Sequence, residues 1–565
     1  MTKLNGREAV VTALRREGVR YVFGIPGGHS VEIMYNALHG ISDIQQILTR
    51  HEQSAAFMGC CYAQATNEPG VVQGTAGPGV GNLVAGINEA LSGKWPLIAI
   101  CPGSPRLGFG KGVQQEIDQI SYIRPNTKWS FRVEIPEKIP WALKRAFDIS
   151  CAPPCGPVFV EIPIDLGSAE ADIPEYIRSY RPLLSAGDEE KVRVAGDLLL
   201  KAQSPIIWAG GGVHRSRAWS ELRELAETLA IPVLTTISGK GALPEDHPLC
   251  VGGVGICRNS ISQKMLESAD LVIGIGSQYE ETATAGWEWW PKVAKFVQID
   301  VDPCQISRNL VPDVAIVGDA KIVLRQLLSL IKEKASRRMQ EYPRFTSLVG
   351  TKKEFLEAVS DVQSSGKPVR MQKMMKEIQR AISRESWIVV DVGVNQIWAS
   401  TWPYLQVLKE GHFISASEYL CMGFGVAGVI AVKLAHPKEQ AICITGDGGF
   451  QMAGKELITA VQYKTPVVWF ISNNSALGWI KWFTKEFHSG KYVGVDFDEQ
   501  PDFVRWAESH HCVGIHVEKA EELREAVKAA LKSNEEGVPA VVDVVTDPLD
   551  VPEGFSSWHH KVVNR

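Results

Sequence analysis

Short apolar runs rich in β-branched and aromatic residues alternate with stretches of helical spacing along this 565-residue chain. That alternation restricts the fold more than any other feature. The runs are VRYVFGI, PLIAICPG and GPVFVEIPI in the first part and PIIWAGG, IPVLTT, DLVIGIG and KFVQIDVD in the middle. Near the end come WIVVDVG, AICITGDGG, VVWFISNN and PAVVDVVT. Strands that are apolar throughout need cover on both faces, which parallel sheets obtain from the helices of their crossovers. Two charged or polar stretches, residues 168–190 and 333–370, carry little strand signal and divide the chain as linkers do. The expectation is an α/β protein of three open, mostly parallel-sheet domains at residues 1–168, 190–332 and 371–548, followed by a tail at 549–565.

The segment ITGDGGFQMAGKELITAVQYKTPVVWFISNN, residues 444–474, reads as one β-α-β unit. Ala441–Thr445 and Val467–Ser472 are the strands, and Met452–Tyr463 has helical spacing. A right-handed crossover makes the strands parallel and leaves Asp447 and Asn474 at their carboxyl ends, the edge where open α/β sheets bind ligands. An acid and an amide oxygen there suit a hard cation such as Mg²⁺, which fills its remaining positions with water and phosphate oxygens. Gly446, Gly448 and Gly449 allow backbone to approach an anion. Gly, Asp and Asn are equally the residues of ordinary turns, and spacing alone leaves both readings open.

Composition narrows the ligand class. The chain is 45% hydrophobic and 22% charged with a net charge of -5, so neither nucleic acid nor an anionic membrane surface is favoured, and small molecules become the expected ligands. MTKLNGREAVVTALRREG reads as an amphipathic helix, not a signal peptide, and Lys433 interrupts the nearest approach to a membrane-spanning run. A cytoplasmic protein is expected. The eleven cysteines are scattered, with no C-x-x-C, which suits buried thiols and predicts neither disulfides nor zinc.

Further motifs surround the 444–474 unit. FGIPGG (23–28), RHEQSAAFMGCCYAQAT (50–66), GTAGPGVGN (74–82), QEID (115–118) and NTKW (126–129) lie in the first part; GGGV, TTISGKGALPEDHPL and IDVD lie in the middle. DVGVNQIW, CMGFGVAG, NNSALGWIKWFTKEFHSGKY and DFDEQPDFVRWAE complete the set. In order and spacing, from about residue 5 to 548, they resemble acetolactate synthase among the thiamine diphosphate-dependent enzymes, with oxalyl-CoA decarboxylase and 2-hydroxyacyl-CoA lyase as nearby relatives. The resemblance implies thiamine diphosphate and Mg²⁺ as cofactors. It makes Glu52 the group that hydrogen-bonds the aminopyrimidine ring, and Met422 the prop for a bent cofactor. Asp447, Asn474 and the carbonyl of Ala476 become metal ligands. Pro26, Gly27, Gly28, Asn82, Gly393, Val394, Asn395, Gln396, Gly446, Gly448 and Gly449 become cofactor contacts, and Gln115 joins Glu52 among the catalytic residues. A homodimer or homotetramer is implied, with each cofactor between the first domain of one subunit and the third domain of another.

Departures from the family pattern bear on the substrate. Where the family carries Gly-Ala-Arg-Phe-Asp-Asp-Arg, this chain reads Gly276-Ser277-Gln278-Tyr279-Glu280-Glu281-Thr282. Both arginines are replaced, one that contacts flavin and one that receives the acceptor's carboxylate, and neither Gln278 nor Thr282 offers a charged fork. FAD is therefore not expected, while an adenosine nucleotide or CoA stays open for the central domain. Gln114 replaces a phenylalanine, and Gly393-Val394-Asn395-Gln396 replaces Gly-Gln-His-Gln. His29 follows the IPGG loop and either moves the proton of a hydroxyl intermediate or makes a local hydrogen bond. Trp479, Ile480, Trp482 and Phe483 fall where the family lines its substrate channel, although aromatic residues at helical spacing also build cores. The expected activity is thiamine diphosphate- and Mg²⁺-dependent carbon–carbon bond cleavage or formation on a 2-keto acid, as a carboligase or decarboxylase with an altered acceptor site. A 2-hydroxyacyl-CoA lyase or oxalyl-CoA decarboxylase type is the alternative. A non-catalytic relative is disfavoured by the joint presence of Glu52, Asp447 and Asn474.

Overall fold

The structure is a computed structural model that describes residues 2–180, 184–334, 339–360 and 362–556. In the first part the strands are β1 (Thr2–Asn5), β2 (Tyr21–Gly24), β3 (Gln45–Leu48), β4 (Gly70–Gln73), β5 (Leu97–Gly103), β6 (Trp129–Arg132), β7 (Pro157–Pro163) and β8 (Glu170–Ile173). Strands β2 to β7 form a six-stranded sheet in the order β3-β2-β4-β5-β7-β6, every pair parallel. The middle part supplies β9 (Pro205–Ala209), β10 (Val233–Thr235), β11 (Cys250–Gly253), β12 (Leu271–Ile275), β13 (Lys295–Asp300) and β14 (Val314–Val317), ordered β11-β10-β9-β12-β13-β14. The last part supplies β15 (Trp387–Val390), β16 (Phe413–Ser415), β17 (Ala441–Gly446), β18 (Val468–Asn473), β19 (Val513–Val517) and β20 (Ala540–Val545), ordered β16-β15-β17-β18-β20-β19. Both later sheets are parallel throughout, so the expected three parallel-sheet α/β architecture is what the chain adopts. Within each sheet the strand order reverses next to the first strand laid down: between β2 and β4, between β9 and β12, and between β15 and β17. Crevices at such reversals are where open α/β sheets take ligands.

The described residues divide into two compact units. One holds the first sheet together with residues 416–438 and 449–467; the other holds the second and third sheets. Within the first unit the helix Phe424–Ala435 is apolar on all sides and accordingly buried. It meets the helix Glu52–Thr66 so closely that a Cβ on Gly428 would lie 2.2 Å from Cys61 Sγ. Among the described residues no helix is long and apolar enough to cross a membrane.

Three local expectations differ from the structure. The N-terminal helix runs only from Gly6 to Glu17, because Asn5 and Glu8 form a reciprocal capping box that starts it there. Thr2–Asn5 instead pairs antiparallel with Glu170–Ile173, inside a stretch read as linker. The second linker contains the helix Pro343–Ala358, whose Leu348 is buried and whose Phe355 stacks on Trp402 at 5.7 Å. Its cations are used as caps: Lys352 Nζ donates to the carbonyls of His247, Pro248 and Cys250, and Arg344 to those of Gln203 and Ala230. A charged composition concealed that packing. Residues 181–183, 335–338 and 361 of these linkers, and 557–565 of the tail, lie outside the described residues.

In the second unit, Lys240 and Glu245 are paired at 2.6 Å with both side chains 1% exposed, and Glu245 also accepts from the Val407 N–H at 2.8 Å. Removing one member strands the other charge in a dry site. Lys240→Met is expected to lower the unfolding free energy by about 3 to 5 kcal/mol in urea titrations, and adding Glu245→Leu to recover most of that loss.

Candidate active site

The first group of site residues gathers at the reversal between β2 and β4. Past β2 the chain turns through Pro26-Gly27-Gly28 into a short helical turn, Gly28–Ser30, that continues as the π-helix Val31–Tyr35. Gly27 must be glycine, since a Cβ there would lie 2.3 Å from Thr75 Oγ1, in the loop that follows β4. The Thr75 hydroxyl reaches Gln115 Oε1 at 3.4 Å, and Gln115 holds a left-handed φ of 63°. His29 leads out of the same loop, and its Nδ1 is buried with no hydrogen-bond partner among the described residues.

Glu52 opens the helix Glu52–Thr66 one step after His51, whose Nδ1 caps the helix by accepting from the Gln53 N–H at 3.1 Å. The Glu52 carboxylate is 7% exposed, accepts from Asn82 Nδ2 at 3.0 Å, and lies close above Gly79. The structure thus brings Gly27, Thr75 and Gln115 into one cluster and Glu52, Gly79 and Asn82 into another, on loops that share the same sheet edge. Met422 is half-buried in this unit, just before Gly423 turns the chain with φ 84° into the helix Phe424–Ala435. Gly449 also belongs to this unit, whereas Gly446 and Gly448 belong to the other.

The second group gathers at the reversal between β15 and β17. Gly393 has φ 136°, and a Cβ on it would sit 2.4 Å from Asn395 Oδ1. The Asn395 amide donates to the carbonyl of Asp391 at 2.7 Å and, at 3.4 Å, to that of Ile444, tying the ends of both strands together. Gln396 donates to Ser415 Oγ at 2.7 Å, while its Oε1 is buried and without a hydrogen bond among the described residues. Val394, the first residue of the helix Val394–Ser400, is buried. Asp447 heads the helix Asp447–Ala453 with 1% exposure; its oxygens accept from the Gly448 N–H at 2.9 Å and from Gln500 Nε2 at 2.6 Å. Burial pushes its carboxyl up to about 6 against those hydrogen bonds. Asn474 ends the loop edge of β18, its Oδ1 accepting from the Ala476 N–H at 3.1 Å across Ser475, which is held at φ 51°. The donor set fits a divalent cation carrying a diphosphate: oxygens only, one carboxylate, and a desolvated acid that a cation would hold ionised. Gln500, 53 residues from Asp447, escaped the sequence reading because nothing local ties its segment to the loop.

The four residues expected along a substrate channel lie on the helix Gly478–Phe487 and divide by exposure. Trp482 is buried, with its ring 4.6 Å from that of Phe555, and Trp479 meets Phe555 edge-on at 5.0 Å. Phe483 packs on Phe487 at 5.0 Å, and Ile480 is 48% exposed. The tail residue Phe555 is what turns the helical spacing of Trp479 and Trp482 into a packed cluster. In the second sheet, the loops at the reversal between β9 and β12 press together: the Gly212 N–H donates to the carbonyl of Gly276 at 3.0 Å. Just beyond, Glu280 caps the short helix Glu281–Thr284, accepting from the Thr282 and Ala283 N–H groups and from the Thr282 hydroxyl at 2.7 Å.

Three sequence models of thiamine pyrophosphate (diphosphate) enzymes match the chain: the N-terminal TPP binding domain at residues 4–122, the central domain at 192–327 and the C-terminal TPP binding domain at 391–544. A probable acetolactate synthase large subunit from Methanocaldococcus jannaschii is 35% identical over 575 residues, covering 98% of this chain and 94% of the relative. The acetolactate synthase isozyme 3 large subunit of Escherichia coli is 32% identical, covering 97% and 96%. The chain belongs to the thiamine diphosphate-dependent enzymes of the acetolactate synthase type. Within that family the two matched TPP binding domains are the ones that carry the two residue groups described above. It is an enzyme, and thiamine diphosphate is its cofactor.

Proposed function

We propose that the protein makes or breaks a carbon–carbon bond beside the carbonyl of a 2-keto acid, with Mg²⁺ as the second cofactor, and that its acceptor is not a second 2-keto acid. The observation that carries the acceptor reading is the state of Thr282. Its hydroxyl and N–H are both taken by the Glu280 carboxylate, so the place where the family resemblance puts a carboxylate-binding arginine holds a neutral side chain whose donor is already engaged. Losing a charge-assisted hydrogen bond costs about 1.5 to 3 kcal/mol, on the order of ten- to a hundredfold in affinity.

When bound, thiamine diphosphate supplies a nucleophilic carbon and an electron sink. The chain's own residues do the rest. Asp447, Asn474 and the Ala476 carbonyl hold the cation, with Gln500 fixing the Asp447 carboxylate. Glu52, kept in place by Asn82, would offer its carboxylate to the cofactor's aminopyrimidine ring as a hydrogen-bond and proton partner. His29 presents Nδ1 to the substrate oxygen and transfers its proton, and Gln115, with Thr75, lines the same face. Pro26, Gly27, Gly28, Gly393 and Gly446 would let backbone come close to the cofactor, and Met422 would support it. Trp479, Ile480, Trp482 and Phe483 border the way in. The working form is at least a homodimer, each cofactor held by first-sheet residues of one subunit and third-sheet residues of another, and no flavin is retained because Gln278 stands in the flavin arginine's place.

The test supplies pyruvate with Mg²⁺ and thiamine diphosphate, alone and with an aldehyde, with products identified by mass spectrometry. Mixed products with the aldehyde, at least tenfold above acetolactate, are expected. Efficient acetolactate formation from pyruvate alone would overturn the acceptor reading. Cleavage of an acyl-CoA thioester in preference to any 2-keto acid would move the chain to the 2-hydroxyacyl-CoA lyase or oxalyl-CoA decarboxylase type.

A further inference from the structure

Glu456 ends the 3-10 turn Gly454–Glu456 in the first unit and is 0% exposed. Its two carboxylate oxygens accept from the Arg50 N–H at 2.9 and 3.2 Å, and one also accepts from Thr459 Oγ1 at 2.7 Å. The Ser54 hydroxyl bonds to the same carboxylate. Arg50 comes two residues before Glu52 and Ser54 two residues after it, so one buried carboxylate holds the backbone on one flank of Glu52 and a side-chain hydroxyl on the other. The approach to this point is gripped as well. Tyr463 accepts from the Leu48 N–H at 2.7 Å and donates to the Gln46 carbonyl at 3.1 Å, while the Arg50 guanidinium joins the Leu48 carbonyl to Gln462 Oε1.

Helix capping does not account for Glu456, because His51 already caps the helix Glu52–Thr66 through its own ring nitrogen. Nor is a buried carboxylate an economical way to stabilise a turn. Desolvation raises its pKa, and a neutral acceptor would satisfy the Arg50 N–H at less cost. What two charged oxygens supply that one neutral acceptor does not is simultaneous hold on three donors from two directions. We propose that Glu456 is a positioning residue for Glu52, fixing the first turn of the helix so that the Glu52 carboxylate stands where the cofactor's pyrimidine ring must meet it. This rests on the reading of Glu52 given above.

The experiment compares Glu456→Gln, Glu456→Ala and Glu52→Gln with the parent protein. Two measurements are made: hydrogen–deuterium exchange at the thiazolium C2 of bound thiamine diphosphate, and amide exchange of the peptide spanning residues 48–54 in the cofactor-free protein. Both Glu456 variants are expected to bind thiamine diphosphate with Mg²⁺ within about threefold of the parent, since the diphosphate contacts are untouched. C2 exchange is expected to slow on the order of a hundredfold in Glu456→Ala and less in Glu456→Gln, which keeps one acceptor oxygen, as a carboxylate displaced by about 1 Å would produce. The amides of residues 50–54 are expected to exchange faster in the same order. Parental C2 exchange in a folded Glu456→Ala protein overturns the proposal, as does slowed C2 exchange with unchanged amide protection at 48–54. If Glu52→Gln itself leaves C2 exchange at the parental rate, the reading of Glu52 fails, an outcome separable from failure at Glu456 alone.

Discussion

Asp447→Asn is expected to raise the melting temperature of the cofactor-free protein while abolishing its stabilisation by thiamine diphosphate and Mg²⁺. The signs oppose because the same burial acts on both. In the cofactor-free protein the carboxyl is pushed up to about 6, well above its ordinary value. A carboxyl raised in the folded state favours folding when protonated, so that contribution is complete in acid, below the unfolded value, and is lost as pH rises through about 6. At neutral pH the ionised Asp447 therefore costs roughly 2 to 3 kcal/mol relative to a neutral group of the same shape. An asparagine removes that cost and still accepts from the Gly448 N–H. The proposed cation site, in contrast, loses its one carboxylate. Differential scanning fluorimetry with and without Mg²⁺ and the cofactor, at pH 5 and pH 7.5, reads both signs. Full cofactor stabilisation in the variant would remove Asp447 from the metal site.

Glu52→Gln is expected to slow C2 proton exchange of bound thiamine diphosphate by two or more orders of magnitude, with cofactor affinity changed only severalfold. The amide keeps the shape and still accepts from Asn82, so the helix start and its His51 cap are undisturbed. What it lacks is the capacity to take and return a proton at the pyrimidine ring. Exchange followed by quenched-flow NMR, beside calorimetric affinity, separates the two effects. A variant that exchanged at the parental rate would leave Glu52 as a buried structural acid.

Which parts of this architecture are legible in the sequence follows from burial geometry. The strands recognisable as apolar runs, such as Leu271–Ile275 and Val468–Asn473, are interior strands covered on both faces. The edge strands β3, β6, β11, β14, β16 and β19 were not recognisable, because one flank needs no cover and their runs are short or mixed, as in QQIL and WSFR. β4, GVVQ, is interior yet only four residues long. The candidate site residues on strand-to-helix loops, Glu52, Gly393, Asp447 and Asn474, stand out in the sequence because a motif and a sheet edge coincide there. Gln500, Thr75 and Glu456 do not. Each acts through a partner far away in sequence, Glu456 406 residues from Arg50, and no local pattern marks that distance.

The π-helix Val31–Tyr35 carries a consequence for how such a site changes over evolutionary time. A π-turn is in effect a one-residue insertion into an α-helix, and one residue of helix is about 100° of rotation. Tyr35 on the far side donates its hydroxyl to Gln73 Oε1 at 2.7 Å, and Ser30 on the near side accepts from Gln73 Nε2, so one side chain holds both ends of the turn in its present phase. Substitution is therefore not the only mutational route between a family member with an imidazole at this loop and one without. Loss of a single codon between His29 and Tyr35 would remove the extra residue and turn position 29 by about 100° relative to Tyr35, so an imidazole at this loop can be redirected by a length change as well as lost by substitution.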